Sequence, residues 1–319
     1  AGCAGPDEAG AGSLLMRSLR EPVSALAFAL VGFALLWAPS HSVEPLLVAD
    51  LRGQALVVLD PAHPDSARRI ALPGGPHELL RLPDGRVLVS LEQSGVLAVV
   101  EVESGVVETI EVGGVPHGLG LHEGVVFVTD RSVNLVRRFA LDGWRELPSV
   151  VTGEWPHAVA VTPSGGLAVA SAGPGAVYLD GVEVLVGETT ETVAVRADGL
   201  LAAAAATEGV VVLLSPEGDL LARWEVSGRP VRVAFSPDGN TLAVALSAGQ
   251  AVALITDDRV RHIPVQGVPD GLAFSSDGRV VYVSDVFGGA VTAVDTRSGE
   301  VRAVLRGGES TGAILVSVR

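Results

Sequence analysis

A proline-centred phrase returns every 40 residues and constrains this chain more than any other feature. Gly75-Pro76-His77, Val115-Pro116-His117 and Trp155-Pro156-His157 are spaced 40 and 40 residues apart. Weaker copies follow at Thr190-Glu191, Pro230-Val231, Pro269-Asp270 and Ser310-Thr311, at steps of 34, 40, 39 and 41. A period near 40 with strand-like content specifies a repeat architecture, in which each unit buries its apolar faces only against its neighbours.

The unit between Gly75 and Gly113 shows the plan. Glu78–Leu82 predicts a first strand, Pro83-Asp84-Gly85 a turn and Arg86–Ser90 a second strand. After the loop at Glu92–Gly95 come Val96–Glu101, the turn Glu103-Ser104-Gly105 and Val106–Val112. Valine-rich runs bounded by Gly, Pro, Asp and Ser carry the strand signal, and glycine suits the positive φ of tight hairpins. Four antiparallel strands per unit describe propeller blades.

Six full units start near Pro76, Pro116, Pro156, Thr190, Pro230 and Pro269. Two fragments remain: Leu46–Ala49, Ala55–Asp60 and Ala67–Leu72 read as strands two to four, and Ser310–Val318 as a first strand. Joined, they complete a seventh blade and remove the open edge of the array. The expected fold is all-β, a seven-bladed β-propeller of four-stranded antiparallel blades over residues 43–319, closed by the C-terminal strand joining the N-terminal ones.

Met16 is the sole methionine; Arg17 and Arg20 follow it, then an apolar stretch at 22–38 and Ala38-Pro39-Ser40-His41-Ser42. A basic start, an apolar run and small residues describe a secretory signal peptide. We expect Met16 to be the start, residues 1–15 to be upstream sequence, and 16–42 to be a signal peptide cleaved after Ser40 or Ser42. The alternative is an uncleaved anchor through 22–38, at the short limit of a membrane span. Either places the propeller outside the cytoplasm, secreted or periplasmic, with the membrane reached only through this segment. Cys3 is the single cysteine, so no intrachain disulfide forms. A net charge of −15, with all 22 basic residues arginine, argues against nucleic-acid binding.

Val268-Pro269-Asp270-Gly271-Leu272-Ala273-Phe274-Ser275-Ser276-Asp277-Gly278 leads into Arg279-Val280-Val281-Tyr282-Val283-Ser284-Asp285. This passage resembles the YVTN repeat of bacterial propellers, in which a strand entry and a Pro-Asp-Gly turn precede a Tyr-Val-Thr-Asn-like second strand. Phe127-Val128-Thr129-Asp130 is a second copy, and both copies carry Asp where the family has Asn. The resemblance covers the whole propeller and implies the fold. Relatives with this repeat include lactonase-like proteins, cell-surface propellers and metal-dependent streptogramin B lyases.

Propeller geometry places His77, His117, His157, Glu191 and Asp270 at the starts of first strands, and Glu92, Asp130 and Asp285 after second strands. All should gather at one mouth of the channel. Three imidazoles with carboxylates nearby could hold a divalent metal, zinc or magnesium, since three histidines suit zinc and leave a position open. Against this, the residues after each histidine alternate large and small, as in Leu119 and Leu121 against Gly118 and Gly120. The histidines share the large parity and so should point between blades. The remaining units offer Val231 and Thr311, which are not ligands. Trp155, beside His157, is a candidate for stacking on a sugar or a partner, with packing against a neighbouring blade the alternative; Trp144 and Trp224 are weaker.

No phosphate loop, Gly-x-Ser-x-Gly, His-Glu-x-x-His or paired-cysteine motif is present. The sequence therefore favours a non-catalytic binding or scaffold propeller, without a cofactor, presenting its channel mouth to a protein, glycan or small ligand. The alternative is a metal-dependent lyase or lactonase using the histidines.

Overall fold

The computed structural model describes residues 44–317. The expected upstream segment at 1–15 and the signal peptide or anchor at 16–42 lie outside the described residues, among which no helix is long and apolar enough to cross a membrane.

The described residues form seven four-stranded antiparallel sheets. Blade 1 combines 46–71 with 311–316, and blades 2 to 7 span 79–111, 116–151, 156–185, 190–225, 230–264 and 269–306. In blade 1 the C-terminal strand Thr311–Val316 pairs with Leu46–Asp50, so both ends of the propeller share one sheet, as expected. First strands pack against first strands right around the ring, and Thr311–Val316 sits between those of blades 7 and 2.

The second strands explain the apolar composition. Leu201–Ala205 is buried at every position because both its faces are covered. Leu201, Ala203 and Ala205 pack toward blade 4, while Ala202 and Ala204 pack toward blade 6. The same division separates seven apolar clusters, one at each interface between neighbouring blades. A strand buried on both faces reads as a continuous apolar run rather than an alternating one.

Each first strand enters irregularly. In blade 3, Pro116 faces Asp130 and Leu119 faces Val128, so His117 and Gly118 together oppose Thr129. Blades 4 and 7 repeat this between Pro156 and Val159 and between Pro269 and Leu272. A bulge inserts one residue and re-aims the side chains around it. Counting alternation from His117 to Leu119 and Leu121 therefore crosses a bulge, and the parity that assigned the histidines to the interblade face does not carry across it.

Register corrects one more expectation. Thr311 faces Asp50, as Pro116 faces Asp130 and Pro269 faces Asp285. Thr311 thus stands in the proline column, and Gly312 rather than Thr311 occupies the histidine column in blade 1.

Candidate functional site at the channel mouth

The histidine column, read around the ring, is Gly312, His77, His117, His157, Glu191, Val231 and Asp270. Its three imidazoles come from consecutive blades and lie in a row, each tilted against the next by 45° and 55°. His117 lies between the others, with ring centroids 3.8 Å from His77 and 3.9 Å from His157; the outer two are 6.0 Å apart.

His117 is fully buried. Its Nδ1–H donates to the backbone carbonyl of His157 at 2.9 Å, and the hydroxyl of Thr129 donates to the same oxygen. That bond leaves the lone pair on His117 Nε2, which has no partner. The His157 ring likewise bonds the backbone of Glu191 in the next blade. Burial, followed by the charge of neighbouring groups, holds both His117 and His157 well below the usual imidazole range. Both rings are neutral at pH 7.

His77 Nδ1 is shut from solvent without a hydrogen bond. Candidate ligand atoms of His77, Glu92 and His117 all lie within 4.8 Å of one another. Glu92 reaches this point on a short 3-10 turn, Glu92–Ser94, and Arg131 holds its carboxylate at 2.9 Å. The group brought together is thus two histidines and a carboxylate, with Glu92 in the place expected for His157. A neutral imidazole with a bare lone pair, a second imidazole whose Nδ1 makes no hydrogen bond but lies 3.7 Å from Glu78 Oε1, and a carboxylate are a donor set that a divalent ion accepts.

Beside the row, a cavity of about 430 Å3 opens at the mouth. His77, His157, Glu191 and Asp270 line it, as placed from sequence. Glu78, Arg229, Arg232 and Phe287 line it as well and escaped the sequence reading. Glu78 and Arg232 occupy one repeat position, directly after the histidine column, and that shared column was the signal available for them. Arg232 of blade 6 reaches Glu78 of blade 2 at 2.6 Å, a bridge across the channel. Neighbouring carboxylates hold its guanidinium firmly protonated despite the cost of burial.

Asp130 and Asp285 have a different occupation. Both are buried, and each turns its carboxylate back onto the strand entry of its own blade. Asp130 accepts from the N–H groups of Val115 and Ser132, and Asp285 from those of Val268 and Phe287. Asp50, unnoticed in the sequence, does the same for Glu309 and Ser310 and pairs with Arg69 at 2.8 Å. The Asp that stands where the YVTN repeat has Asn is therefore a latch between the second strand and the entry loop. Trp155 is 61% exposed, not packed on a neighbouring blade, and does not line the cavity. Trp144 and Trp224 pack partly against interblade clusters.

No protein-family model and no curated protein matches the chain. Solved structures share its fold. The periplasmic gluconolactonase of Pseudomonas aeruginosa is 21% identical with a TM-score of 0.70, over 86% of this chain and 99% of that one. A functionally unknown protein from Desulfotomaculum acetoxidans is 11% identical with a TM-score of 0.73, over 86% and 98%. Virginiamycin B lyase from Staphylococcus aureus is 14% identical with a TM-score of 0.65, over 76% and 92%. At these identities the likeness is one of fold.

Proposed function

We propose that this is an extracytoplasmic binding propeller whose channel mouth receives a small, hydroxyl-rich ligand of the sugar type. The observation that carries the reading is the cavity itself, where carboxylates and guanidiniums from blades 2, 5, 6 and 7 converge. Charged acceptors and donors in a partly enclosed space suit hydroxyl groups, which both donate and accept. Phe287, 62% exposed at the rim, offers an apolar face for a sugar ring. Two of the three cavity carboxylates are tied to arginines, Glu78 to Arg232 and Glu191 to Arg229. Carboxylates engaged by guanidiniums in this way are committed to ion pairs rather than free to act on a substrate, which favours binding over catalysis.

Calorimetric titration of sugars, sugar acids and their lactones into the full chain tests the reading. Binding by at least one class, weakened about tenfold or more in Arg232→Gln, supports it. Binding unaffected by Arg232→Gln places the ligand elsewhere and sinks it. Cell fractionation tests the location: recovery in the cytoplasm would rule out an extracytoplasmic protein.

A second reading, a metal-dependent lyase or lactonase, is favoured by the His77, Glu92 and His117 group. The ion would be held by these three side chains and would supply polarisation of a substrate carbonyl. The names of two fold neighbours, a gluconolactonase and a virginiamycin B lyase, suggest lactones and cyclic depsipeptides as trial substrates. Elemental analysis decides: stoichiometric metal in the purified protein, lost in His117→Ala, supports this reading, and a metal-free protein without lactone-opening activity removes it.

A further inference from the structure

The mouth cavity is unbalanced in charge. Three carboxylates line it, Glu78, Glu191 and Asp270, against two guanidiniums, Arg229 and Arg232. Arg232 is committed to Glu78 at 2.6 Å, and Arg229 lies 3.8 Å from Glu191. Two histidines line it as well, His77, whose Nδ1 lies 3.7 Å from Glu78 Oε1, and His157. The carboxylates exceed the guanidiniums by one, and Asp270, which shares the field of Arg232 with Glu78 and Glu191, has neither an ion pair nor a hydrogen bond among the described residues.

Asp270 is also given room. The neighbouring position of the histidine column is Gly312, where even an added side-chain carbon would stand at ordinary contact distance, 3.6 Å from Asp270 Oδ2, so nothing at that position crowds the carboxylate. Phe287 completes the corner: its ring already faces a cation, with the Arg52 guanidinium 5.4 Å from the centroid.

We propose that the ligand of this cavity carries a protonated amine seated on Asp270, with its hydroxyl groups among the other charged side chains of the lining: in class, an amino sugar. This rests on the reading of the mouth as the site of a hydroxyl-rich ligand. The ammonium group offsets the excess of carboxylates over guanidiniums, and a charge-assisted bond of this kind is the stronger sort available. An anionic sugar acid would instead add a further negative charge to the site.

The test uses three probes of similar size at pH 7, D-glucosamine, D-glucose and D-gluconate, titrated calorimetrically into the full chain. We expect glucosamine to bind about tenfold tighter than glucose, and gluconate weakest. Asp270→Asn, with its circular dichroism spectrum and melting profile matching the parent, is expected to bring glucosamine to within about threefold of glucose. Glucose or gluconate binding as tightly as glucosamine, lost in Arg232→Gln, overturns the amine assignment while leaving the mouth as a sugar site. Unchanged glucosamine preference in Asp270→Asn overturns the role of Asp270. Binding of none of the three overturns the assignment and the sugar reading together.

Discussion

His117 concentrates the constraints of the ring into one side chain. Its imidazole is buried between two others and tied to the next blade through Nδ1. Because burial depresses its pKa below the unfolded value of 6.5, the unfolded chain binds a proton first as pH falls. The stability from its neutral form is therefore complete above 6.5 and is lost as pH drops below it, until the folded protein also protonates. The expected slope is about 1.4 kcal/mol per pH unit for this group, with His157 adding in the same direction. Urea denaturation between pH 7.5 and 5 in a chelating buffer measures it, and His117→Asn should flatten the curve. Gly118 is bound to the same contact. A Cβ there would stand 2.5 Å from the carbonyl oxygen of His157, which is backbone and cannot yield. Gly118→Ala should cost about 1–3 kcal/mol in the same assay; an unchanged midpoint would show that blades 3 and 4 can separate freely.

At the scale of the element, the bulge and the latch decide what the mouth presents. The bulge at each strand entry turns the histidine column out of the interblade alternation. The latch aspartates then hold the entry loop against the second strand. Removing Asp130 would take the acceptor from the part-buried bonds of the Val115 and Ser132 N–H groups and of the Ser132 hydroxyl. Asp130→Ala is expected to destabilise by about 2 kcal/mol, whereas Asp130→Asn keeps an acceptor oxygen and should cost less than about 1 kcal/mol. Chemical denaturation of the two variants checks the difference; equal losses would make the charge, not the hydrogen bond, the working part. Strand existence was legible here almost to the residue, since Val96–Glu101 is found as predicted and Val106–Val112 ends one residue early. What was not legible was side-chain direction at the entries. A bulge depends on pairing with a partner strand, and nothing local in Pro116-His117-Gly118 announces it.

At the scale of the molecule, closure carries the stability of an otherwise one-dimensional array. The strand Thr311–Val316 covers the edge of Leu46–Asp50 and completes the apolar clusters on both sides of blade 1. A chain ending at Gly308 would expose that edge. It is expected to lose cooperative unfolding and to associate, which calorimetry and light scattering would show; a sharp, monomeric transition would mean that six blades and a fragment suffice.

The 40-residue repeat determined seven blades, their four strands and the joining of the two ends, because period and apolar runs are local records of a covered sheet. It also brought His77, His117, His157, Glu191 and Asp270 to one mouth. Only the tertiary structure decided which of them act together. Glu92 joins His77 and His117, Arg232 crosses the channel to Glu78, and Asp270 is left in the cavity without an ion pair or hydrogen bond among the described residues. These are relations between residues up to 154 positions apart, set by ring closure and by bulges. Charge balance in a cavity belongs to the space where the blades meet, and no single repeat contains it.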